Sequence, residues 1–251
     1  MKSVKVRDIV IGEGRAKICV PIVGPCREDI LREAEHIRKL EPDVVELRAD
    51  CFDAAPDFDA LKEILKEVRE ILGNYPLLFT MRSPGEGGAK EISDDDYLDL
   101  NIRMIKSGII DMVDAELLKG RALTDRIVEA ARDAGVKVII SNHDFSNTPG
   151  RETIIGKLKS MQDAGADIIK IAVMPKNSND VETLINAAEE MYNKYAEVPI
   201  IAISMGEPGI ISRTDCESFG AAMTFASASK ASAPGQIDIT ELRKEMYNDN
   251  R

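Results

Sequence analysis

In the run GADIIKIAV, Gly165–Val173, a lysine sits among aliphatic residues. Ile168, Ile169, Ile171 and Val173 are β-branched, the composition of a buried strand. An ammonium taken out of water costs several kcal/mol unless it is paired, so Lys170 calls for a chemical reason. A free lysine with a pKa of about 10.4 is neutral in only about one molecule in 2,500 at pH 7. Desolvation and neighbouring cations favour the neutral amine, and a shift of about three units corresponds to about 4 kcal/mol. The neutral amine is a nucleophile that condenses with a carbonyl to a Schiff base. The plainer role, an edge lysine or one paired with a carboxylate, suits Lys137 at the start of its strand better than Lys170.

The chain has two histidines. His36, in the charge-rich helical pattern REAEHIRKL, reads as a surface or helix-packing residue, whereas His143 ends a strand in IISNHDF. Imidazole titrates near neutrality, as a proton shuttle requires. Beside a lysine on the next strand, catalysis is the better reading of His143. Arg48, Arg82 and Arg213 fall at or just beyond strand ends, where the planar guanidinium fork suits a carboxylate or hydroxyls. The glycine-rich GEGG and GEPG each carry a glutamate and neither reads as a P-loop, which disfavours a phosphate cradle. No H-x-x-x-H pair, cysteine cluster or carboxylate array has metal-ligand spacing. These residues point to Schiff-base chemistry on a small, unphosphorylated, hydroxylated carboxylate.

Such residues need a scaffold that aims them at one place. Strand-like runs (AKICVPIV, VVELRAD, PLLFTMR, DMVDAEL, VKVIISNHD, DIIKIAV, VPIIAISM, AAMTFA) alternate with helical patterns such as REDILREAEHIRKL, DALKEILKEVREIL and DVETLINAAEEMYNKY. A short helix is expected around Asp215–Phe219 and a last one over TELRKEMYN. Eight strands at intervals of roughly 25 to 30 residues is the cadence of a (β/α)8 barrel. An open doubly wound sheet is the rival, but the turn after the first strand reads VGPCRED, without its glycine fingerprint. The early VKVRDIVIGEG predicts a hairpin covering one end of the barrel. Residues 1–251 read as one domain. In a barrel the site lies at the carboxyl ends of the strands, and Glu46, Arg48, Arg82, Glu86, His143, Lys170, Arg213, Ser232 and Gln236 all fall at that rim.

Net charge is −11, which disfavours nucleic acid, whose affinity rests on basic residues neutralising phosphates. An anionic small molecule remains compatible, since a local arginine cluster can reverse the field in a cleft. Cys19, Cys26, Cys51 and Cys216 form no C-x-x-C pair and read as reduced thiols of a cytoplasmic protein. No run approaches the ~20 apolar residues of a membrane span, and MKSVKVRDIV lacks a signal-peptide core.

ELRAD, FTMRSPGEGG, SNHDF, KIAVMP, ISR and TFASASKASAPGQI, in this order, resemble the motifs of type I 3-dehydroquinate dehydratases, shikimate-pathway enzymes, and the resemblance runs from the hairpin to the last helix. It implies a (β/α)8 barrel, a homodimer, and neither metal nor organic cofactor. By motif match Lys170 is the Schiff-base lysine and His143 the proton shuttle, with Glu86 beside it. Glu46, Arg48, Arg82, Arg213, Ser232 and Gln236 fall on substrate-contacting positions, and Phe225 on an apolar wall. Two departures stand out: Pro21, where many members have serine, and Ala221 in FGAA, where FGSA is common.

The expected reaction is dehydration of 3-dehydroquinate to 3-dehydroshikimate by a free-standing enzyme, with MGEPGIISR and KASAPGQI as lid segments. A class I aldolase would share barrel and lysine, but on a phosphorylated sugar it should show a phosphate loop after strand seven or eight. A noncatalytic barrel binding a shikimate-like acid would keep the arginines and lose the lysine or the histidine.

Overall fold

The computed structural model describes residues 2–229 and 231–247. The chain begins with an antiparallel hairpin, β1 (Val4–Val6) and β2 (Ile9–Ile11). Alternation of strand and helix follows: β3 (Lys17–Ile22), α1 (Arg27–Leu40), β4 (Val44–Arg48), α2 (Phe58–Leu72), β5 (Leu77–Thr80), α3 (Asp94–Lys106), β6 (Met112–Glu116) and α4 (Arg121–Ala134). The second half runs β7 (Lys137–Asp144), α5 (Arg151–Asp163), β8 (Ile168–Val173), α6 (Ser178–Lys194), β9 (Ile200–Ser204), α7 (Ile211–Thr214), β10 (Met223–Phe225) and α8 (Ile239–Tyr247). Strands β3 to β9 pair in parallel in chain order, and β10 pairs with β3. A single bridge, Ile200 to Ala221, brings β9 to β10, so the sheet is a nearly closed (β/α)8 barrel.

Strand alternation sorts the core into two layers. Side chains turned outward (Val20, Leu47, Phe79, Val113, Ile140, Ile171) pack under the helices, which add apolar stripes such as Leu61, Ile64, Leu65 and Val68 of α2. Those turned inward at the amino-terminal end (Val44, Leu78, Met112, Ile139, Ile168) form a second cluster with Val4, Val6 and Ile11 of the hairpin. The hairpin therefore plugs that end, as expected, and leaves the carboxyl ends of the strands open.

Helix limits follow local chemistry. Asp57, Ser93 and Asn177 cap α2, α3 and α6 by accepting from the backbone N–H three residues on. Gly135, with φ of 72°, ends α4 in the left-handed conformation.

The segment after ISM departs from the sequence expectation of a short helix only around Asp215–Phe219, with MGEPGIISR as loop. Cys216–Phe219 is a 3₁₀ turn, and the helical turn α7 precedes it within the supposed loop. Ser212 is the reason. Its hydroxyl accepts from Ser204 N–H at 2.8 Å and donates to Gly209 O at 2.7 Å, winding the segment against the end of β9. In the other proposed lid, Lys230 lies outside the described residues, as does Asn248 of the last helical pattern.

Candidate active site

Lys170 is the third residue of β8, and alternation turns its side chain into the barrel. Its residual exposure is 6 %. Nζ stands 4.1 Å from the centroid of the Phe225 ring and 3.9 Å from Asp114 Oδ2. Burial lowers the lysine pKa; Asp114 and Glu46 resist that shift and Arg82 adds to it. An aliphatic strand and neighbouring cations are the environment expected from the sequence. Burial does lead, but the charges of Asp114 and Glu46 act on the amine more strongly than the Arg82 guanidinium.

His143 lies one strand away, on β7, opposite Ala172, while Ser141 is opposite Lys170. Its Nδ1 is 2.9 Å from Glu86 Oε2, and its backbone N–H donates to the same oxygen at 3.0 Å. Glu86 arrives on the 3₁₀ turn Pro84–Glu86, which folds back on the end of β5. A Cβ on Gly88 would sit 1.9 Å from Arg82 O, so only glycine permits that return. Burial pushes the Glu86 carboxyl up to about 7, with Arg82 opposing and Glu116 reinforcing. Burial, helped by Arg82, Lys170 and Arg48, holds His143 well below the ordinary histidine range. The imidazole is therefore neutral. With Nδ1–H pointing at the carboxylate, Nε2 keeps its lone pair.

Arg82 is the hub of a buried network. Nη2 is 3.0 Å from Asp114 Oδ2, and Nη1 donates to Glu116 Oε1 at 3.1 Å and to Ser141 Oγ at 3.0 Å. Although burial works against its charge, Asp114, Glu116 and Glu86 hold its pKa well above the usual arginine value. Arg48 forms a two-pronged pair with Asp50, both contacts at 2.8 Å. Asp50 also accepts from Ala89 N–H and so ties down the loop carrying Glu86. Glu46 accepts from Thr80 Oγ1 at 2.8 Å.

Arg213 is different. It is 1 % exposed, and its hydrogen bonds go to the carbonyls of Phe225 (3.2 Å) and Pro234 (3.1 Å). Its Nε has no partner among the described residues. Burial lowers its pKa to about 10. A buried guanidinium facing a cleft with an unused donor is suited to an incoming anion. Ser232 and Gln236 meanwhile bond each other, Gln236 Nε2 to Ser232 Oγ at 2.9 Å.

The ten residues assigned to the site in the sequence, from Glu46 on β4 to Gln236 past β10, line one cleft of ≈ 470 Å³ at the carboxyl end of the barrel. Ala221 is not among them: it borders a separate hollow at the opposite end with Gly12 and Tyr192. Pro21 lies on β3, opposite Glu46. Lys137 pairs with Asp167 at 3.0 Å and His36 is exposed, as their plain readings expected.

Sequence reasoning passed over Asp114, Glu116, Asp50 and Asn142. The signal was present: in MVDAE two acids alternate on a strand whose other positions are apolar, which turns both into the barrel. Among the described residues no group of three or more His, Cys, Asp or Glu could hold a metal ion. The arrangement can activate an amine, remove a proton beside the carbon it attacks, and hold an anion.

The profile of the type I 3-dehydroquinase family matches residues 18–250. A 3-dehydroquinate dehydratase of Clostridioides difficile (strain 630) is 47% identical over 245 residues, covering 98% of this chain and 96% of that protein. The crystal structure of a type I 3-dehydroquinate dehydratase from Clostridium difficile with covalently modified comenic acid superposes with a TM-score of 0.94 at 46% identity, over 98% of this chain and 96% of that one. The 3-dehydroquinate dehydratase of Geobacillus kaustophilus HTA426 superposes with a TM-score of 0.96 at 37% identity, over 100% and 98% of the two chains.

Proposed function

Since the chain belongs to the type I 3-dehydroquinase family and is a lyase that dehydrates 3-dehydroquinate to 3-dehydroshikimate, we propose that Lys170 forms the Schiff base and His143 moves the protons. The neutral Lys170 amine attacks the C3 ketone, and loss of water leaves a protonated imine. Asp114 Oδ2, 3.9 Å from Nζ, supplies that cation with a counter-charge. The iminium draws electrons from the adjacent C2–H bond, whose proton a modest base can then remove. His143 Nε2 takes it, leaving an enamine. The enamine expels the C1 hydroxyl, which departs as water with the proton from His143. Addition of water to the remaining imine releases product and frees Lys170.

Glu86 holds the imidazole in place through Nδ1 and balances its charge once protonated. Arg213, with Gln236 and Ser232, takes the C1 carboxylate; Glu46, Arg48 and Arg82 address ring hydroxyls, and Phe225 forms the apolar wall. Segments 205–213 and 231–237 close the cleft against water, which would hydrolyse the imine early. The observation that carries this reading is the convergence of Lys170 and Glu86-bound His143, from adjacent strands, on one cleft. The same reading takes the chain as one domain, assembled as a homodimer in the cytoplasm. It accords with four cysteines that form no disulfide and with the lack, among the described residues, of a helix long and apolar enough to cross a membrane.

The test is incubation with 3-dehydroquinate and borohydride followed by peptide mass mapping. A reduced adduct on Lys170 is expected. An active enzyme that traps nothing, or traps at another lysine, rules the assignment out.

A further inference from the structure

One side chain outside the cleft is joined to the acid–base pair by an unbroken line of hydrogen bonds. Alternation on β7 turns His143 into the barrel and Asn142 toward the helices, where Lys157 of α5 donates from Nζ to Asn142 Oδ1 at 2.7 Å. Asn142 Nδ2 donates to Glu86 Oε1 at 3.1 Å, and Glu86 Oε2 meets His143 Nδ1 at 2.9 Å. An ammonium offers only donors and a carboxylate only acceptors. The amide between them satisfies both in one orientation alone, oxygen toward Lys157 and NH₂ toward Glu86.

We propose that Lys157 is a positioning residue: it locks the Asn142 amide with its NH₂ on Glu86, which favours the carboxylate form of Glu86 and holds His143 with Nε2 bare. This rests on the reading of His143 as the base. Without the lysine the amide is free to turn its oxygen onto Glu86 Oε1. Two facing acceptors are relieved by protonating the carboxyl, and a neutral Glu86 no longer balances the imidazolium. The other charges cannot substitute. Arg82 faces Glu86 from beyond β5, with Glu116 and Asp114 on β6 opposing it. His143 also faces Lys170 on β8 and Arg48 on β4, and Lys157 itself faces Asp144. Among these groups only the Asn142 amide donates to Oε1.

The test compares Lys157→Met, Lys157→Arg and Asn142→Ala with the parent, alone and in the Met/Ala double variant. Lys157 is half-buried on an outer helix, so the methionine keeps the stem's packing and the melting temperature should stay near the parent's. Losing a charge-assisted hydrogen bond predicts a fall in kcat of about tenfold for Lys157→Met, with KM within about twofold. The acidic limb of the kcat–pH profile should move up by about one unit. Arginine should recover most of the loss, and the methionine should cost little more once Asn142 is alanine. The ¹⁵N shifts of His143 should report a loss of the Nδ1–H tautomer in Lys157→Met, whatever its activity. An unchanged profile and tautomer, a loss that arginine does not recover, or costs that add in full overturn the proposal. Borohydride labelling of the parent keeps the two readings apart: a labelled Lys170 with an unaltered Lys157→Met profile removes this inference alone.

Discussion

Asp114 Oδ2 lies 3.0 Å from Arg82 Nη2 and 3.9 Å from Lys170 Nζ, so one buried carboxylate serves two cations. Arg82 holds the nearer place and stays charged. Lys170 has the weaker hold, and its desolvation prevails, lowering its pKa. A tighter pairing would have kept the amine protonated and unreactive. No carboxylate at all would leave the proposed iminium without a counter-charge in a dry cavity. On the proposed mechanism, that distance difference lets one acid tolerate a neutral amine and then support a cation.

Asp114→Asn separates these two duties. The lysine should become easier to deprotonate while the iminium loses support. Borohydride trapping should slow and kcat should fall by about 10²-fold, the scale of a lost charge-assisted contact in a water-excluded site. Single-turnover trapping rates check this, and a rate equal to the parent's contradicts it.

Lys170→Met should lose at least about 10³-fold in kcat, because no other nucleophile replaces the amine. It should remain folded. Methionine removes the desolvation penalty of an ammonium at a position 6 % exposed, so the melting temperature is expected to be unchanged or raised. Activity within tenfold of the parent, in a folded sample, is the outcome that defeats the mechanism.

Glu86 makes a stability prediction with a definite sign. Its carboxyl rises from 4.5 to about 7 on folding, so between those values the native state binds more protons than the unfolded chain. Stability contributed by this group therefore falls as pH rises through that window, and above pH 7 the penalty is complete. The shift corresponds to about 3 kcal/mol. Glu86→Gln carries no charge to bury. Its gain over the parent should be near zero at pH 4 and approach about 3 kcal/mol at pH 8, while kcat falls. Urea unfolding at pH 4, 6 and 8 measures it; a pH-independent difference would contradict the burial argument.

Arg213→Met should act on binding. An anion anchored by a buried guanidinium gains about 1.5–3 kcal/mol, so KM for 3-dehydroquinate should rise by about 10- to 100-fold with kcat within a few-fold. A loss in kcat at constant KM would place the arginine in the chemical step instead.

The two covering segments meet backbone to backbone, with Gly206 N–H donating to Pro234 O at 3.1 Å. Gly235, at φ of 76°, would bring a Cβ within 2.4 Å of Gly206 O. Gly235→Ala should therefore open this junction and raise KM by several-fold. Limited proteolysis of the parent should show cleavage at 205–213 and 231–237 slowed by 3-dehydroquinate plus borohydride. Equal cleavage with and without the adduct would argue against closure.

Much of this was written in local pattern. The period-two runs set the strands, and the parity of position alone turned Lys170, His143, Glu46 and Arg48 inward, because successive strand side chains must point to opposite faces. Caps and glycine stops placed the helices between them, and the cadence of strands put the polar ends on one rim. The turn α7 has no such pattern because it depends on Ser212 reaching back to both Ser204 and Gly209, contacts with no periodic signature.

What the linear pattern could not express is which charges meet. Arg82 finds Glu116 at a separation of 34 residues, and Glu86 finds His143 at 57. Those meetings depend on strand register and on the return path of a single loop. They decide that Arg82 stays charged, that Lys170 gives up its proton more readily, and which nitrogen of His143 is free. Side-chain direction is a property of neighbouring residues along the chain and can be read there. Protonation is a sum over charges brought within a few ångströms from all around the barrel, and only the closed tertiary structure performs that sum.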